Sequence, residues 1–255
     1  MDDIFGVMME TAMKSGELLK KYFYNRDFEV DQKTISYDLV TNADRESQEL
    51  IISSLSSKFP HIPILGEEGM EIKKYERAFF VDPLDGTLNF VHGISMFCVS
   101  IGYWEDGNPK VGVVYAPILG ELFFAKEGEG AYLNGKRIHT SSPKSLKDAL
   151  LVTGWPYDKE KLKKAIKTAN KILDFTEFRA FGSAALELCY VAMGIFDGYW
   201  EYGLYPWDLA AGVLIAKEGG AIVRKPDGEE FDLFEGEVLA ISPHIYDEFL
   251  RVIKE

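Results

Sequence analysis

Two aspartates, Asp82 and Asp85, follow an apolar run in the first half of the chain and could share one cation. Residues 79–81 (Phe-Phe-Val) predict a buried strand. Pro83 fixes its own φ and has no N–H to donate, so we expect sheet pairing to stop there. The sequence therefore predicts two carboxylates, three positions apart, on a stiff turn at a strand end, an arrangement that suits a hard metal ion.

The residues after the aspartates predict a phosphate site beside that cation. Gly86 allows a tight bend with positive φ, and residues 87–91 are predicted to begin a short helix. The first backbone N–H groups of a helix lack intrahelical partners and attract anions.

Three more acids lie next to Gly or Trp at a predicted strand end or helix start: Glu67, Glu68 and Asp208. Each could be a solvated surface acid, but Asp82 follows an apolar strand and Asp208 follows Trp207, where surface acids are less expected. Two like charges about 4 Å apart repel by roughly 4 kcal/mol at an effective dielectric constant of 20. Convergent carboxylates would therefore raise one another's pKa values or bind cations. Oxygen donors, with no His or Cys at zinc spacing, favour Mg²⁺ or Mn²⁺.

Thr87 and Asp44 each allow two interpretations. A Thr directly after Asp-Gly is usually a cap, yet the Thr87 hydroxyl could orient a metal-bound water. Asp44 is predicted to lie in the first turn of a helix capped by Thr41, and it could accept the proton of that hydroxyl. The four histidines have no partner at helical or zinc-finger spacing, and we expect structural or surface roles for them.

Composition excludes several classes of protein. The formal net charge of −13 argues against general affinity for nucleic acid or anionic membranes, and 47% hydrophobic residues allow a large core. Cys98 and Cys189 lie among apolar residues and are predicted to be reduced core thiols. No signal sequence and no apolar run approaching ~20 residues is present, so we expect a soluble, cytoplasmic protein.

The predicted elements that position these residues differ between the first and second parts of the chain. In the first part, we predict a helix over residues 2–25, a loop or loose hairpin over 26–40, a helix over 41–59 and a short strand over 62–65. Antiparallel strands are predicted at 95–104, 110–116 and 121–125, with turns at Asp106-Gly107 and Asn134-Gly135.

Beyond a Ser-rich stretch at 140–145, strands and helices alternate. Strands are predicted at 149–153, 176–180, 196–201, 221–224 and 237–240, and helices at 158–173, 183–194, 207–218 and 244–254. The fold class is therefore mixed α+β and α/β. We expect a layered αβαβα sandwich with an antiparallel-sheet half, residues 1–143, carrying most metal ligands, and an α/β half, residues 144–255, supplying Asp208 and substrate-facing residues.

The ordered set of motifs resembles a known family. Asp82-Pro83-Leu84-Asp85-Gly86-Thr87, followed by residues 89–93 (Asn-Phe-Val-His-Gly), resembles the signature of the inositol monophosphatases. Supporting matches cover nearly the whole chain in the same order: residues 38–44, 66–68, 182–185, 201, 206–208 and 218–220.

The resemblance implies a role for each candidate residue. The metal ligands would be Glu67, Asp82, Asp85, Asp208 and the carbonyl of Leu84. The residues that position or activate the attacking water would be Thr87, Asp44 and Glu67. The substrate contacts would be Gly86, Thr87, Gly182, Ser183, Ala184, Glu201 and Asp208. Glu68 would lie beside the ligands, where Gly69 replaces the Ser of many relatives, and Lys33 would lie in a loop able to cover a further metal.

The implied activity is Mg²⁺-dependent hydrolysis of a small phosphomonoester by a metal-activated water. Two or three Mg²⁺ ions would bind, and Mn²⁺ could substitute. The first expected substrate is myo-inositol monophosphate; the alternative is a fructose-1,6-bisphosphatase or dual-specificity sugar phosphatase. The resemblance also implies a homodimer and lithium sensitivity.

The sequence leaves room for one function of another class and argues against two further ones. A regulatory role in transcription through a protein partner, without direct nucleic-acid or membrane contact, is the alternative from another class. A phosphatase with an aspartyl nucleophile needs two acids separated by one residue, whereas two residues separate Asp82 and Asp85. A calcium module would need a regular acidic loop with a closing Glu after Asp82.

Overall fold

The computed structural model describes residues 1–33, 38–69 and 71–254. Up to residue 138 the elements are α1 (Asp2–Asn25), β1 (Val30–Gln32), β2 (Leu39–Thr41), α2 (Asn42–Lys58), β3 (Ile64–Gly66), β4 (Arg77–Asp85), α3 (Thr87–His92), β5 (Cys98–Glu105), β6 (Asn108–Ala116), β7 (Glu121–Lys126), β8 (Gly130–Leu133) and β9 (Lys136–Ile138). A short 3₁₀ turn, Leu146–Asp148, comes next. The remaining elements are β10 (Leu150–Thr153), α4 (Lys159–Leu173), β11 (Glu177–Arg179), α5 (Ala184–Ala192), β12 (Gly198–Tyr202), α6 (Pro206–Leu209), α7 (Gly212–Glu218), β13 (Ile222–Arg224), β14 (Glu237–Ile241) and α8 (Tyr246–Lys254).

A seven-stranded sheet in the order β3-β4-β5-β6-β7-β8-β9 carries the first group of site residues. Its β3–β4 pair is parallel and the other pairs are antiparallel. Helices α1 and α2 pack against β4, β5 and β6. Their apolar faces include Met8, Leu19, Ile51 and Leu55, all fully buried in a cluster with β4 residues. Burial of these faces stabilises both helices.

A second, five-stranded sheet has the mixed order β11-β10-β12-β14-β13. Helices α4 and α8 pack together beside it, and their core includes the fully buried Trp200 and Phe249. Helices α5 and α7 contact both sheets, and every residue of α5 is buried. The order of layers is therefore α1/α2, large sheet, α5/α7, small sheet and α4/α8, which confirms the predicted αβαβα sandwich. The division at residues 143 and 144 stays a prediction.

Most predicted elements lie within a few residues of their observed bounds, and three differences are informative. The predicted loop or loose hairpin contains the antiparallel pair β1–β2, and its residues 34–37 lie outside the described residues. The prediction that pairing stops at Pro83 was wrong, because β4 pairs with β5 as far as Asp85, across a register shift between Asp82 and Asp85. The single helix predicted at 207–218 is two helices, α6 and α7.

The break between α6 and α7 has a tertiary cause. The indole N–H of Trp104 donates to the carbonyl of Ala210 at 3.0 Å. A side chain at Gly102 or Gly112 would collide with Ala210 or Ala211, with closest approaches of 2.6 Å. The backbone at the break therefore packs directly on β5 and β6, a contact that helical periodicity cannot indicate.

Both cysteines are buried free thiols, as predicted. Among the described residues, no helix is long and apolar enough to cross a membrane.

Candidate active site

The predicted site residues surround one cavity of about 670 Å³ between the two sheets. From the predicted set, its lining includes Lys33, Glu67, Asp82, Leu84, Asp85, Gly86, Thr87, Gly182, Ser183, Ala184, Glu201 and Asp208. Asp44 lies behind this lining and is fully buried. Glu68 contacts the lining residue Lys33 through its side-chain carboxylate. The structure thus brings together residues from segments more than a hundred positions apart.

The turn after β4 holds two carboxylates in a local hydrogen-bonded frame. Asp82, 2% exposed, accepts the N–H of Leu84 at 3.0 Å. Gly86 has φ 95° and ends the strand in a left-handed conformation that lets α3 begin at Thr87. The two aspartates therefore face the cavity from a strand end, as predicted.

Thr87 joins this turn to helix α2. Its hydroxyl lies 2.9 Å from Asp44 Oδ1 and 3.1 Å from the carbonyl oxygen of Leu84, both of which can accept its proton. Asp44 Oδ2 accepts the N–H and hydroxyl of Thr41 at 2.8 and 2.6 Å, completing the predicted capping box. Burial raises the pKa of Asp44 to about 7. The cap and the Thr87 contact coexist because the two carboxylate oxygens point to different partners.

Glu67 and Glu68 share the ammonium group of Lys33. Lys33 Nζ lies 2.7 Å from Glu67 Oε1 and 2.5 Å from Glu68 Oε1. Burial lowers the pKa of Lys33, but the two carboxylates outweigh it and the pKa is raised. Lys33 is therefore a charged counter-ion for this end of the cavity.

Asp85 connects the turn to the start of α5. Its carboxylate accepts the Ser183 hydroxyl at 2.7 Å, the Ala185 N–H at 2.8 Å and the Ala184 N–H at 3.2 Å. The thiol of Cys98 lies 3.6 Å away. Asp85 thus connects the end of β4 to the start of α5, and both segments line the cavity.

Asp208 enters the cavity from the first turn of α6, where it accepts the N–H of Tyr205 at 2.7 Å. Burial first, and then the charge of Glu67, raise the pKa values of Asp82 and Asp208 well above their usual range. Burial also raises the pKa of Asp85. Ionisation of all three aspartates together is therefore unfavourable here without a cation.

Glu201 lies on the α5 side of the cavity. Its carboxylate accepts the hydroxyl of Tyr199 at 2.5 Å, and burial raises its pKa to about 7. Gly154 leaves room for this group, because a Cβ there would lie 2.1 Å from Glu201 Oε2.

The donor set fits a hard divalent cation by chemistry. Among the described residues that line the cavity, Lys33 is the only Lys or Arg, whereas seven are Asp or Glu, among them the candidate ligands Glu67, Asp82, Asp85 and Asp208. All the candidate ligand atoms are oxygens, as Mg²⁺ and Mn²⁺ prefer. Within residues 1–33, 38–69 and 71–254, no group of three or more His, Cys, Asp or Glu side chains is already spaced to hold a metal.

Several residues with contacts in the site were not among the predicted site residues. Ser47, Gln48, Asn89 and Glu187 bond to backbone groups of site segments. Asn89, for example, donates to the carbonyl oxygens of Met96 and Phe181 at 2.7 and 2.6 Å. One signal was available for the first two residues: Ser47 and Gln48 follow Asp44 by three and four positions, and so share its helix face.

Comparisons with known proteins match this chain over nearly its whole length. The family model described as "Inositol monophosphatase family" matches residues 1–255. The chain is 39% identical over 258 residues to "Nus factor SuhB" of Pasteurella multocida (strain Pm70), covering 100% of this chain and 97% of that protein. It is 40% identical over 264 residues to "Inositol monophosphatase 3" of Solanum lycopersicum, with coverage of 100% and 97%.

A third relative is "Fructose-1,6-bisphosphatase/inositol-1-monophosphatase" of Thermotoga maritima, 38% identical over 244 residues, with coverage of 95% of this chain and 92% of that protein. The solved structure of extragenic suppressor protein suhB from Bartonella henselae superposes with a TM-score of 0.93 at 36% identity and 99% coverage of both chains. Fold and relatives together place the chain among the phosphatases of the layered αβαβα type. The chain belongs to the inositol monophosphatase family.

Proposed function

We propose that the protein hydrolyses small phosphomonoesters of polyols or sugars with Mg²⁺, and that myo-inositol monophosphate is its preferred substrate. The observation that carries this proposal is the convergence of Glu67, Asp82, Asp85 and Asp208 on one cavity. Hydrolysis of phosphate monoesters requires acceleration of up to ~10²¹-fold. General acid–base catalysis contributes only about 10²–10⁴ of this.

Divalent cations, held by these four acids and the Leu84 carbonyl, would supply charge neutralisation and a water of lowered pKa. The protein's own residues would orient the reaction. Thr87 and Asp44 would hold the attacking water through the hydrogen-bonded pair described above, with Asp44 able to accept a proton because its pKa is raised by burial to about 7.

Substrate binding would divide between the two sides of the cavity. The N–H groups of Gly86 and Thr87 precede the first hydrogen bond of α3, from Phe90 N–H to the Gly86 carbonyl, and would hold a phosphate oxygen. Gly182, Ser183, Ala184 and Glu201 would face the alcohol portion. Attack would be in line, without a phospho-enzyme.

Asp85→Asn tests the cation assignment while keeping the shape of the side chain. We expect Mg²⁺-dependent phosphate release to fall by about 10²–10³-fold, because several kcal/mol of charge stabilisation is lost. The measurement is phosphate release at saturating Mg²⁺, with circular dichroism to check folding. Asp247→Asn, on the exposed first turn of α8, is the matched control. Near wild-type turnover of Asp85→Asn would contradict the proposal.

Two relatives' names motivate further arms of the same experiment. Because the Thermotoga relative is named for two substrates, the panel should include fructose 1,6-bisphosphate beside inositol 1-phosphate. Because other relatives are named Nus factor SuhB, a second candidate function is binding to a protein of the transcription machinery, tested by pull-down with the Asp85→Asn protein. By resemblance, the proposal includes a cytoplasmic homodimer inhibited by lithium.

A further inference from the structure

Helix α2 carries a buried polar face beyond Asp44. Ser47 is fully buried and Gln48 is 7% exposed, although both lie on a face otherwise filled by Ala43, Ile51 and Leu55. Positions three and four residues after Asp44 lie on the same side of the helix as Asp44. Buried polar groups are costly unless they are paired, so the partners of these two side chains indicate what they do.

The Gln48 side chain pairs with the backbone of Glu68 at two points. Its Oε1 accepts the Glu68 N–H at 2.9 Å, and its Nε2 donates to the Glu68 carbonyl at 2.8 Å. Strand β3 has already ended at Gly66, and Glu67 keeps one ladder bond, from its N–H to the Val81 carbonyl at 3.2 Å. The amide of Gln48 therefore fixes the backbone at Glu68, just beyond the end of strand β3.

Gly66 makes this contact possible. A Cβ at Gly66 would lie 2.3 Å from Gln48 Oε1. Because an atom cannot occupy that position, any larger residue would displace the amide.

Ser47 holds the facing segment from the same helical turn. Its hydroxyl donates to the Pro83 carbonyl at 2.8 Å and lies 2.6 Å from the Ser15 hydroxyl. Pro83 falls within the register shift of β4, where no ladder partner fixes it. One turn of α2 therefore holds the backbone beside Glu67 and the backbone beside Asp82.

We propose that Gln48 is a positioning residue that, together with Ser47, fixes Glu67 relative to the Asp82–Asp85 turn and thereby sets the site's affinity for divalent cations. The inference rests on the proposed function, because it concerns the same cation. Residues that orient metal ligands through hydrogen bonds typically contribute 10–100-fold to metal affinity.

Two variants that differ in chemistry test this role. Gln48→Met removes both hydrogen bonds at similar volume, and Gly66→Ala keeps the amide but displaces it. Mg²⁺ affinity is measured by isothermal titration calorimetry on the full chain, with Mn²⁺ as a second probe. We expect both variants to bind each cation about tenfold or more weakly. Phosphatase turnover at saturating Mg²⁺ should fall less than the affinity does.

The matched control is Thr11→Val. It removes a hydrogen bond of 2.7 Å between Thr11 and Ser54, which joins α1 to α2 away from the cavity. We expect a lower melting temperature with unchanged cation affinity. If Gln48→Met behaves in the same way, the positioning role is overturned while the proposed function stands. If the wild-type protein binds neither Mg²⁺ nor Mn²⁺, the proposed function fails, and the positioning role fails with it.

Discussion

At Glu201, burial opposes ionisation of the carboxyl group. The residue is 8% exposed, packs against Gly154 and accepts the Tyr199 hydroxyl, and it has no cationic partner among its described hydrogen bonds. A carboxylate held in this way costs stability when it is ionised, because burial penalises the charged form. A polar group at this place is what an alcohol-binding surface would need, so the cost is consistent with a role in substrate binding.

The pH dependence of stability tests the state of Glu201. Burial raises its folded pKa from 4.5 to about 7. Its contribution is therefore fully present below the unfolded pKa and is lost as pH rises through about 7. Relative to Glu201→Gln, which cannot titrate but can still accept the Tyr199 hydroxyl, the wild type should lose about 3 kcal/mol between pH 4.5 and 7.5.

Urea unfolding of both proteins at pH 4.5 and pH 7.5 in cation-free buffer measures this difference. Glu160→Gln, a change at an exposed position of α4, supplies the control for removing a surface charge. A wild-type-to-Gln difference that is equal at the two pH values would show that Glu201 has the same pKa in the folded and unfolded states, which contradicts the raised folded pKa.

Among the elements, strand β4, the turn after it and helix α3 were each predicted from the sequence. The pairing of the end of β4 with β5 was not predicted. The apolar run, the positive φ of Gly86 and the short helix from Thr87 all follow from local rules and are confirmed. The continuation of pairing to Asp85 depends on a partner, Cys98, on another strand. Local chemistry predicts that Pro83 interrupts the ladder; it cannot predict that the ladder resumes beyond it.

Gly86→Ala tests how tightly this unit packs. A Cβ at Gly86 would lie 2.9 Å from the Met96 carbonyl oxygen and 3.3 Å from the Gly182 carbonyl oxygen. Gly107→Ala is the matched control, with φ 72° and no atom within 4 Å of the new Cβ. The left-handed conformation costs each variant roughly 1–2 kcal/mol. We expect Gly86→Ala to lose a further ~1–3 kcal/mol from overpacking.

Chemical denaturation measures the free energy of unfolding of both variants, and the difference between them is the cost of overpacking at Gly86. A change in kcat/KM would report that the turn or the 182–184 segment has moved. Equal destabilisation by the two substitutions would mean that the turn has room to relax.

At the scale of the whole molecule, most of the site residues predicted from the sequence line one cavity in the structure. Residue types with demanding chemistry at strand ends and helix starts predicted the acids and Thr87 of the site. The remaining predicted lining residues, Lys33, 182–184 and Glu201, followed only from the family resemblance. The partners of Gln48, Ser47 and Asn89 were not predictable in this way, because each bonds to backbone groups that any residue carries. The Lys33 contact with Glu67 and Glu68 likewise depends on the fold, since more than thirty positions separate the partners.

The candidate ligands come from the ends of β3 and β4 and, through Asp208, from α6 in the second half of the chain, so cation binding should stabilise the whole fold. A ligand that binds only the folded state adds about 2.7 kcal/mol at 100 times its dissociation constant. For a chain of this size, we expect saturating Mg²⁺ to raise the melting temperature by roughly 5–10 °C over EDTA-treated protein. Salt alone also screens a net charge of −13. The comparison therefore needs NaCl at matched ionic strength, and Asp85→Asn should show a smaller Mg²⁺ shift. An identical rise with NaCl and Mg²⁺ would mean that the cavity acids respond to ionic strength and hold no specific cation.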